Sequence, residues 1–409
     1  MEHSTKIESA AAITNAQLRG SNQSGMRAHN ERLVLTLIRQ AGPMAKSQIA
    51  RETGLSAQTV SVIMRALEAD GLLIRGEPVR GKIGQPSVPM SLASDGAYFL
   101  GLKVGRRSLE LVLIDFLGVV QNRVRDSHPY STPENTIEFA NKAIAELLEK
   151  LPEQYHDRIA GLGIAMPFQL WDWADTLSEG TAKVQDWQDR NIADELAQTW
   201  GFPVFDCNYA SAACGAELVF GDQNKPADFL YFYVGFFIGG GLVLNNSLYT
   251  GHNGNAAALG SMIVMGDDGS PHLLADVASL ATLESARKQD GHLSPVTWER
   301  PVSWDIAQES LDVWMTNAAK GIAQAIMSSI CLIDVRHVLI DGWLPAQMRA
   351  DLVNLVQIEV AKQPDNGVQK PDVHEGSIGS DARLLGAASL PLSRRYLVER
   401  NTYPEGLKK

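Results

Sequence analysis

The chain has 409 residues, 45% of them apolar and 20% charged, with a net charge of −11. That length exceeds what one hydrophobic core sustains, so two or three domains are expected. No run of 18 apolar residues occurs, which excludes a membrane-spanning helix. Cys207, Cys214 and Cys331 have no paired spacing and sit in apolar contexts, the pattern of buried free thiols in a reducing cytoplasm.

Residues 1–25 lack an apolar core followed by a cleavage site, so they are expected to form a disordered tail rather than a secretory signal. The next segment, 26–92, carries nine Lys/Arg against five Asp/Glu, while 93–409 carry a net −15. A basic module on an acidic body places any anionic partner at the N-terminal end. Within it, NERLVLTLIRQAG puts Leu33, Val34, Leu37 and Ile38 at helical spacing, closed by Gly42-Pro43. KSQIARETG reads as a short second helix with Ile49 and Ala50 inward, ended by Gly54. A third helix opens on Ser56, a favoured N-cap, and has Val60, Ile63, Met64 and Leu67 as its apolar face.

Two helices joined by a tight Gly-containing turn make a helix-turn-helix. LLIRGEPVRGKIGQPSVPMSL then reads as a hairpin, with Arg75, Arg80 and Lys82 on its Gly-rich loop. The whole is a winged helix-turn-helix over 26–92. Its expected DNA-binding residues are Lys46, Ser56, Ala57, Gln58, Thr59, Ser61 and Arg65, with Arg80, Lys82 and Gln85 on the wing. Small and hydrogen-bonding side chains suit base edges, and wing cations suit phosphates or a minor groove. The competing reading is a helical subdomain for protein contacts.

From Tyr98 the texture changes. YFLGLKVG, SLELVLID and GVVQNRVRD are strand-like, followed by the helix ENTIEFANKAIAELLEKL and the strands IAGLGIAMP and FPVFDC. A second set begins with DFLYFYVGF and IGGGLVLNN and ends with HVLIDGW and the helix AQMRADLVNLVQIEV. A strand meander, helix and strand used twice implies two α/β lobes with a cleft between them, over 96–206 and 207–409, the last helix returning to the first lobe. The long helical stretch WDIAQESLDVWMTNAAKGIAQAIMSSICLI offers apolar area for a dimer contact.

A winged helix-turn-helix followed by this body resembles the ROK family (repressors, open reading frames, kinases), over roughly residues 28–395. ARETGLSAQTVSVIMRALEADGLL, GLGIAMP, FPVFDCN, VGFFIGGGLVLNN, HNGNAAALGSM, LIDGW and SDARLLGAASL carry the resemblance, in order. It implies an actin-like, sugar-kinase-like α/β fold. Where the family's kinases have Asn-Asp, this chain has Asn208-Tyr209. The Asp is their general base, and an unperturbed tyrosine titrates near ~10, too high for that role at neutral pH.

The family's sugar-binding Glu corresponds to Ala258, a second to Ala275, and its zinc-ligand His to Ser261, while GDDGSPHLLADVAS contains no Cys. His252 and His272 are too few and wrongly spaced for a structural zinc, so no metal is expected. The phosphate turns have become Lys103-Val104-Gly105-Arg106-Arg107 and Gly235-Phe236-Phe237-Ile238, and the adenosine-side Gly pair Asp341-Gly342. No catalytic residue and no cofactor are expected. The effector site is assigned to Asn208, Tyr209, Ala258 and Ser261. Phe168, Trp171, Trp173 and Trp187 are either its aromatic walls or lobe packing.

The expected protein is therefore a cytoplasmic DNA-binding transcriptional regulator, a repressor in carbohydrate or related metabolism. It would bind a double-stranded DNA operator and a small-molecule effector, a sugar or derivative, as a homodimer or homotetramer, away from membranes. The alternative is an active ROK sugar kinase that phosphorylates a hexose.

Overall fold

The computed structural model describes residues 23–78, 87–105, 108–128, 131–167, 186–222, 226–289, 306–365 and 367–398. The N-terminal module is built on α1 (Gln23–Ala41), α2 (Lys46–Thr53) and α3 (Ala57–Ala69). Gly54, at φ 71, ends α2 in the left-handed region where a side chain would be strained. Ser56 Oγ accepts from the Thr59 N–H at 3.1 Å and starts α3. Val60, Ile63, Met64 and Leu67 are buried as the spacing requires. On α1 the buried set is Val34, Leu35 and Ile38, with Leu33 and Leu37 only half-buried. The face is rotated because α1 packs on the C-terminal helix as well as on α2 and α3.

Strands β1 (Met44–Ala45), β2 (Leu73–Arg75) and β3 (Pro89–Leu92) form a three-stranded antiparallel sheet in the order β1-β3-β2. β2 and β3 are the stem of the wing. Its tip, with Arg80, Lys82 and Gln85, lies outside the described residues.

The first lobe is a five-stranded sheet in the order β6-β5-β4-β7-β8. The strands are β4 (Tyr98–Val104), β5 (Ser108–Asp115), β6 (Val120–Ser127), β7 (Ile159–Met166) and β8 (Val204–Asn208). β4, β7 and β8 run parallel, and the meander β4-β5-β6 is antiparallel. β4 is buried along its whole length, which is why it is apolar apart from Lys103. One face is covered by α4 (Pro133–Lys150) and α5 (Ile192–Trp200). Helix α6 (Tyr209–Phe220) follows β8 directly.

The second lobe repeats the plan. Its five-stranded sheet has the order β11-β10-β9-β14-β15. Here β9 (Phe229–Val234), β10 (Gly239–Leu244) and β11 (Ser247–Leu248) form the meander. β14 (His337–Gly342) and β15 (Asp372–Glu375) add in parallel. A small hairpin, β12 (Ile263–Met265) with β13 (Pro271–Leu273), stands apart. Helices α7 (Leu274–Ala278), α8 (Leu280–Gln289), α9 (Gln308–Ile333) and α10 (Ala346–Lys362) cover the outer face.

The last helix, α11 (Ala382–Tyr396), returns to pack on β4 and β7 of the first sheet and along α6, which itself packs on β9 and β10 of the second. The centre of the body is thus sheet, α11, α6, sheet. The approach is closer than any side chain permits. A Cβ on Gly163 of β7 would lie 1.8 Å from the Ala387 carbonyl oxygen, and one on Gly386 would lie 1.9 Å from that of Ala212.

Two sequence expectations are corrected, and one left open is decided. The apolar residues of α9 are spent inside lobe 2, where Ala318, Ile322, Ala323 and Ile326 are buried; Val313 and Leu332 are its large exposed apolar residues. An apolar stripe on a long helix says that something covers it, not that the cover is a second subunit. Cys331, expected to be buried, is exposed on the last turn of the same helix, while Cys207 is half-buried and Cys214 buried. Trp187 packs in the lobe 1 core at 4% exposure and donates its indole N–H to the Ser131 carbonyl at 3.2 Å, so it walls no cleft.

Candidate DNA-reading helix and inter-lobe site

The first turn of α3 presents Ala57 and Gln58 to solvent, with Thr59 and Ser61 half-buried and Arg65 exposed one turn on. The Thr59 hydroxyl is shared with Ser56 Oγ at 2.8 Å, so it strengthens the cap. Lys46 reaches from the start of α2 to Ser61 Oγ at 3.4 Å, and Arg65 Nε donates to the Ser61 carbonyl at 3.1 Å. Ser61 therefore sits between two cations. Arg75 is held by Glu68 through bonds of 2.5 and 2.9 Å, which neutralises it and holds the Glu68 carboxyl below its usual range. Val62, four residues after Gln58, is 48% exposed on α3. It was missed because an apolar residue on an amphipathic helix reads as core; its position one turn from Gln58 was the available signal.

At the lobe boundary β8 ends on Asn208. Its Oδ1 accepts from the Ala210 N–H at 3.0 Å and caps α6, and its Nδ2 donates to Asn255 Oδ1 at 2.7 Å. Tyr209 is half-buried against Ala165, Ala212 and Ala387, with the Arg383 guanidinium 5.5 Å from its ring centre. Burial raises its pKa despite Arg383, so the phenol stays protonated and cannot take a proton from a hydroxyl. Ala258 and Ser261 lie exposed on the loop after Asn255, the Ser261 N–H bonded to the Ala258 carbonyl at 3.0 Å. Phe168, Trp171 and Trp173 lie outside the described residues.

Both segments expected to replace the kinases' phosphate turns have other occupants. In the first, Lys103 and Glu110 form a buried ion pair. Burial, with Arg383 adding to it, brings the Lys103 pKa down to about 8. Burial works against the Glu110 carboxylate, yet Lys103 holds its pKa below the usual range. In the second, the Ile238 N–H donates to Ser279 Oγ at 3.0 Å, and the carbonyls of Gly235 and Phe236 accept from Leu280 and Ala281 at 3.0 Å each. Asp341 is fully buried and accepts from Tyr231, Arg349 and the Gly342 and Gly379 amides, at 2.8–3.1 Å. The Ser279, Leu280, Ala281 and Asp341 contacts are parts of the scaffold.

Glu217, which closes the small-residue run on α6, is also structural, accepting from the Ser377 amide and hydroxyl at 2.9 and 2.7 Å. Among the described residues, His337, Asp372 and His374 bring three possible metal-ligand atoms within 4.8 Å. They sit at the start of β14 and β15, at the strand ends away from Trp343; His272 instead bonds Ser270 Oγ at 2.8 Å.

Comparison with known proteins agrees with this architecture. An uncharacterized protein of Sinorhizobium fredii is 26% identical over 369 residues, covering 90% of this chain and 91% of that one. The xylose repressor of Bacillus spizizenii is 24% identical over 252 residues, 60% of this chain and 62% of that one. A ROK family transcriptional regulator, described as a homologue of the E. coli MLC protein, superimposes with a TM-score of 0.67 at 21% identity, over 91% of this chain and 97% of that one. A winged helix-turn-helix DNA-binding model matches residues 27–74. The ROK family model matches residues 99–394, the whole two-lobed body from β4 into α11, and the chain is a member of the ROK family.

Proposed function

We infer that this chain is a DNA-binding transcriptional repressor of carbohydrate or related small-molecule metabolism, controlled by an effector in the inter-lobe cleft. The observation that carries the reading is one connection. A winged helix-turn-helix with an exposed reading turn on α3 shares a hydrophobic core with lobe 1 of a body that has Tyr209 where a kinase needs a carboxylate. The xylose repressors among its relatives support regulation by a sugar or derivative.

The body makes several contacts with the DNA-binding module. The Val398 N–H donates to Thr36 Oγ1 on α1 at 3.0 Å. Arg39 of α1 stacks on Phe116 at 5.3 Å, donates to its carbonyl, and has its pKa brought down to about 10 by burial. Phe116 in turn meets Tyr396 at 5.0 Å. A shift of α11 is therefore felt at α1 without a flexible linker between. One module reads one half-site, so operator binding calls for an even-numbered assembly.

Mapping of bound genomic DNA identifies the operator. On that site Gln58→Ala should cost about 1–3 kcal/mol and relax preference at one base position. Lys46→Ala should weaken all sequences alike and lower the salt slope by about one unit. Wild-type binding by both variants would remove α3 from the interface. The second reading is an active sugar kinase. ADP release over a hexose panel should stay at background for the wild type and for Tyr209→Asp, and sugar-dependent turnover would establish that reading instead.

A further inference from the structure

The site where a kinase would hold its nucleotide gathers several cations around one buried lysine. Lys103, at the end of β4, is 6% exposed, and its Nζ lies 5.4 Å from the centre of the Trp343 ring, which follows β14 in the other lobe. Arg383, in the first turn of α11, lies over Tyr233 at 4.9 Å and over Tyr209 at 5.5 Å. Its charge bears on both Lys103 and Glu110, so the three groups share one neighbourhood. Arg123 and Arg125 of β6 approach Glu110 to 4.0 and 3.8 Å. Among the described residues, four cations thus face two carboxylates, Glu110 and Asp381, the latter held by Arg123 at 2.5 Å.

The donors are also not fully used. Arg383 is half-buried as a residue, but its Nε is sealed from solvent with no acceptor, and so is the indole N–H of Trp343. A sealed guanidinium N–H without an acceptor is costly, the more so because the group is charged. Two such donors beside a surplus of positive charge make a site that is complete only when an acceptor with negative charge enters. Tyr209 lies half-buried beside it, and Tyr233 is fully buried under the Arg383 guanidinium.

We propose that the inter-lobe cleft binds an oxyanion-bearing sugar derivative, a sugar acid or a sugar phosphate, whose anionic group is taken by Arg383, with Lys103 and Trp343 beside it. This rests on the cleft being the effector site, and it specifies the effector as anionic. Planar guanidinium suits both carboxylate and phosphate, so the shared chemistry is the oxyanion.

The test uses calorimetry on the full-length protein with glucose, gluconate, glucose 6-phosphate, inorganic phosphate and ADP. Gluconate or glucose 6-phosphate should bind at least tenfold tighter than glucose, and which of the two does so separates carboxylate from phosphate. Arg383→Gln should weaken that ligand at least tenfold. Trp343→Phe, which removes the N–H together with the five-membered ring, should weaken it severalfold, and a melting temperature near that of the wild type shows that the smaller ring is accommodated. The proposal is overturned if no sugar anion binds better than glucose, if ADP is the tightest ligand, or if both variants bind like the wild type. Operator binding by the unliganded wild type is measured separately, so loss of DNA binding would count against the regulator reading and leave the anion result standing.

Discussion

Lys103 is central to the proposed anion site, because the resemblance places it where the family's kinases begin their first phosphate turn. In a phosphate turn built for a metal-bound nucleotide, a carboxylate at this position would repel the phosphate unless a cation intervened. A lysine attracts an anion directly. Its charge is conditional, however. Burial and Arg383 bring its pKa down to about 8, with Glu110 opposing, and Arg125 adds to the lowering from β6. Arg123 of β6 also lies by Glu110, and the Trp343 ring covers the ammonium from lobe 2. Anion binding favours the protonated amine, so affinity should be full below pH 8 and fall severalfold as pH rises through it. Arg383 keeps its charge, so the loss is partial. Calorimetry of the tightest sugar anion from pH 6.5 to 9.5 reads this, and Lys103→Met should flatten the profile. A flat wild-type profile would place Lys103 outside the site.

Among the elements, α11 connects the DNA-binding module to the proposed anion site. Its first turn carries Arg383 at the cleft, and its last residue, Tyr396, packs against Phe99 at 5.8 Å and Phe116 at 5.0 Å beneath α1. Fifteen residues of helix span about 22 Å, which is the distance a signal must cover. Pro391 sits inside the helix and has no N–H for the Ala387 carbonyl, the one that Gly163 approaches. Tyr396→Ala should leave affinity for the sugar anion unchanged but reduce the change in operator affinity that the ligand produces, towards none. Stability should fall by about 3 kcal/mol, the usual cost of emptying a buried aromatic site. Operator titrations with and without the ligand measure the coupling, and an unaltered ligand effect would send the signal by another route.

For the whole molecule the boundary between DNA-binding module and body is not a linker. Val34, Ile49, Met64 and Leu73 belong to the same continuous core as Phe99, Phe116, Ala388 and Tyr396. A shared core implies shared unfolding. Native-state hydrogen exchange should give the amides of Val60 and Met64 protection within tenfold of those of Phe99 and Leu100. Protection lower by several orders of magnitude in α3 would make the module an independently opening unit, and the coupling through α11 would then be weak.

What the residues by themselves determined is the local and periodic part. Helix spacing, the Ser56 cap, the Gly54 turn and twin meanders each depend on contacts a few residues apart or on a period of two or 3.6. They place the three helices, the two lobes and the Asn208-Tyr209 step without reference to anything distant. Tertiary structure alone decided what the apolar and charged residues face. The α9 stripe turned inward, Cys331 outward, and Trp187 into the lobe 1 core, because a pattern states that a face is covered and not by what. Arg383 was invisible as a site residue for the same reason. It is 280 positions from Lys103 in the chain, and only the packing of α11 between the two sheets brings it against Tyr209 and Tyr233, with its Nε left without an acceptor.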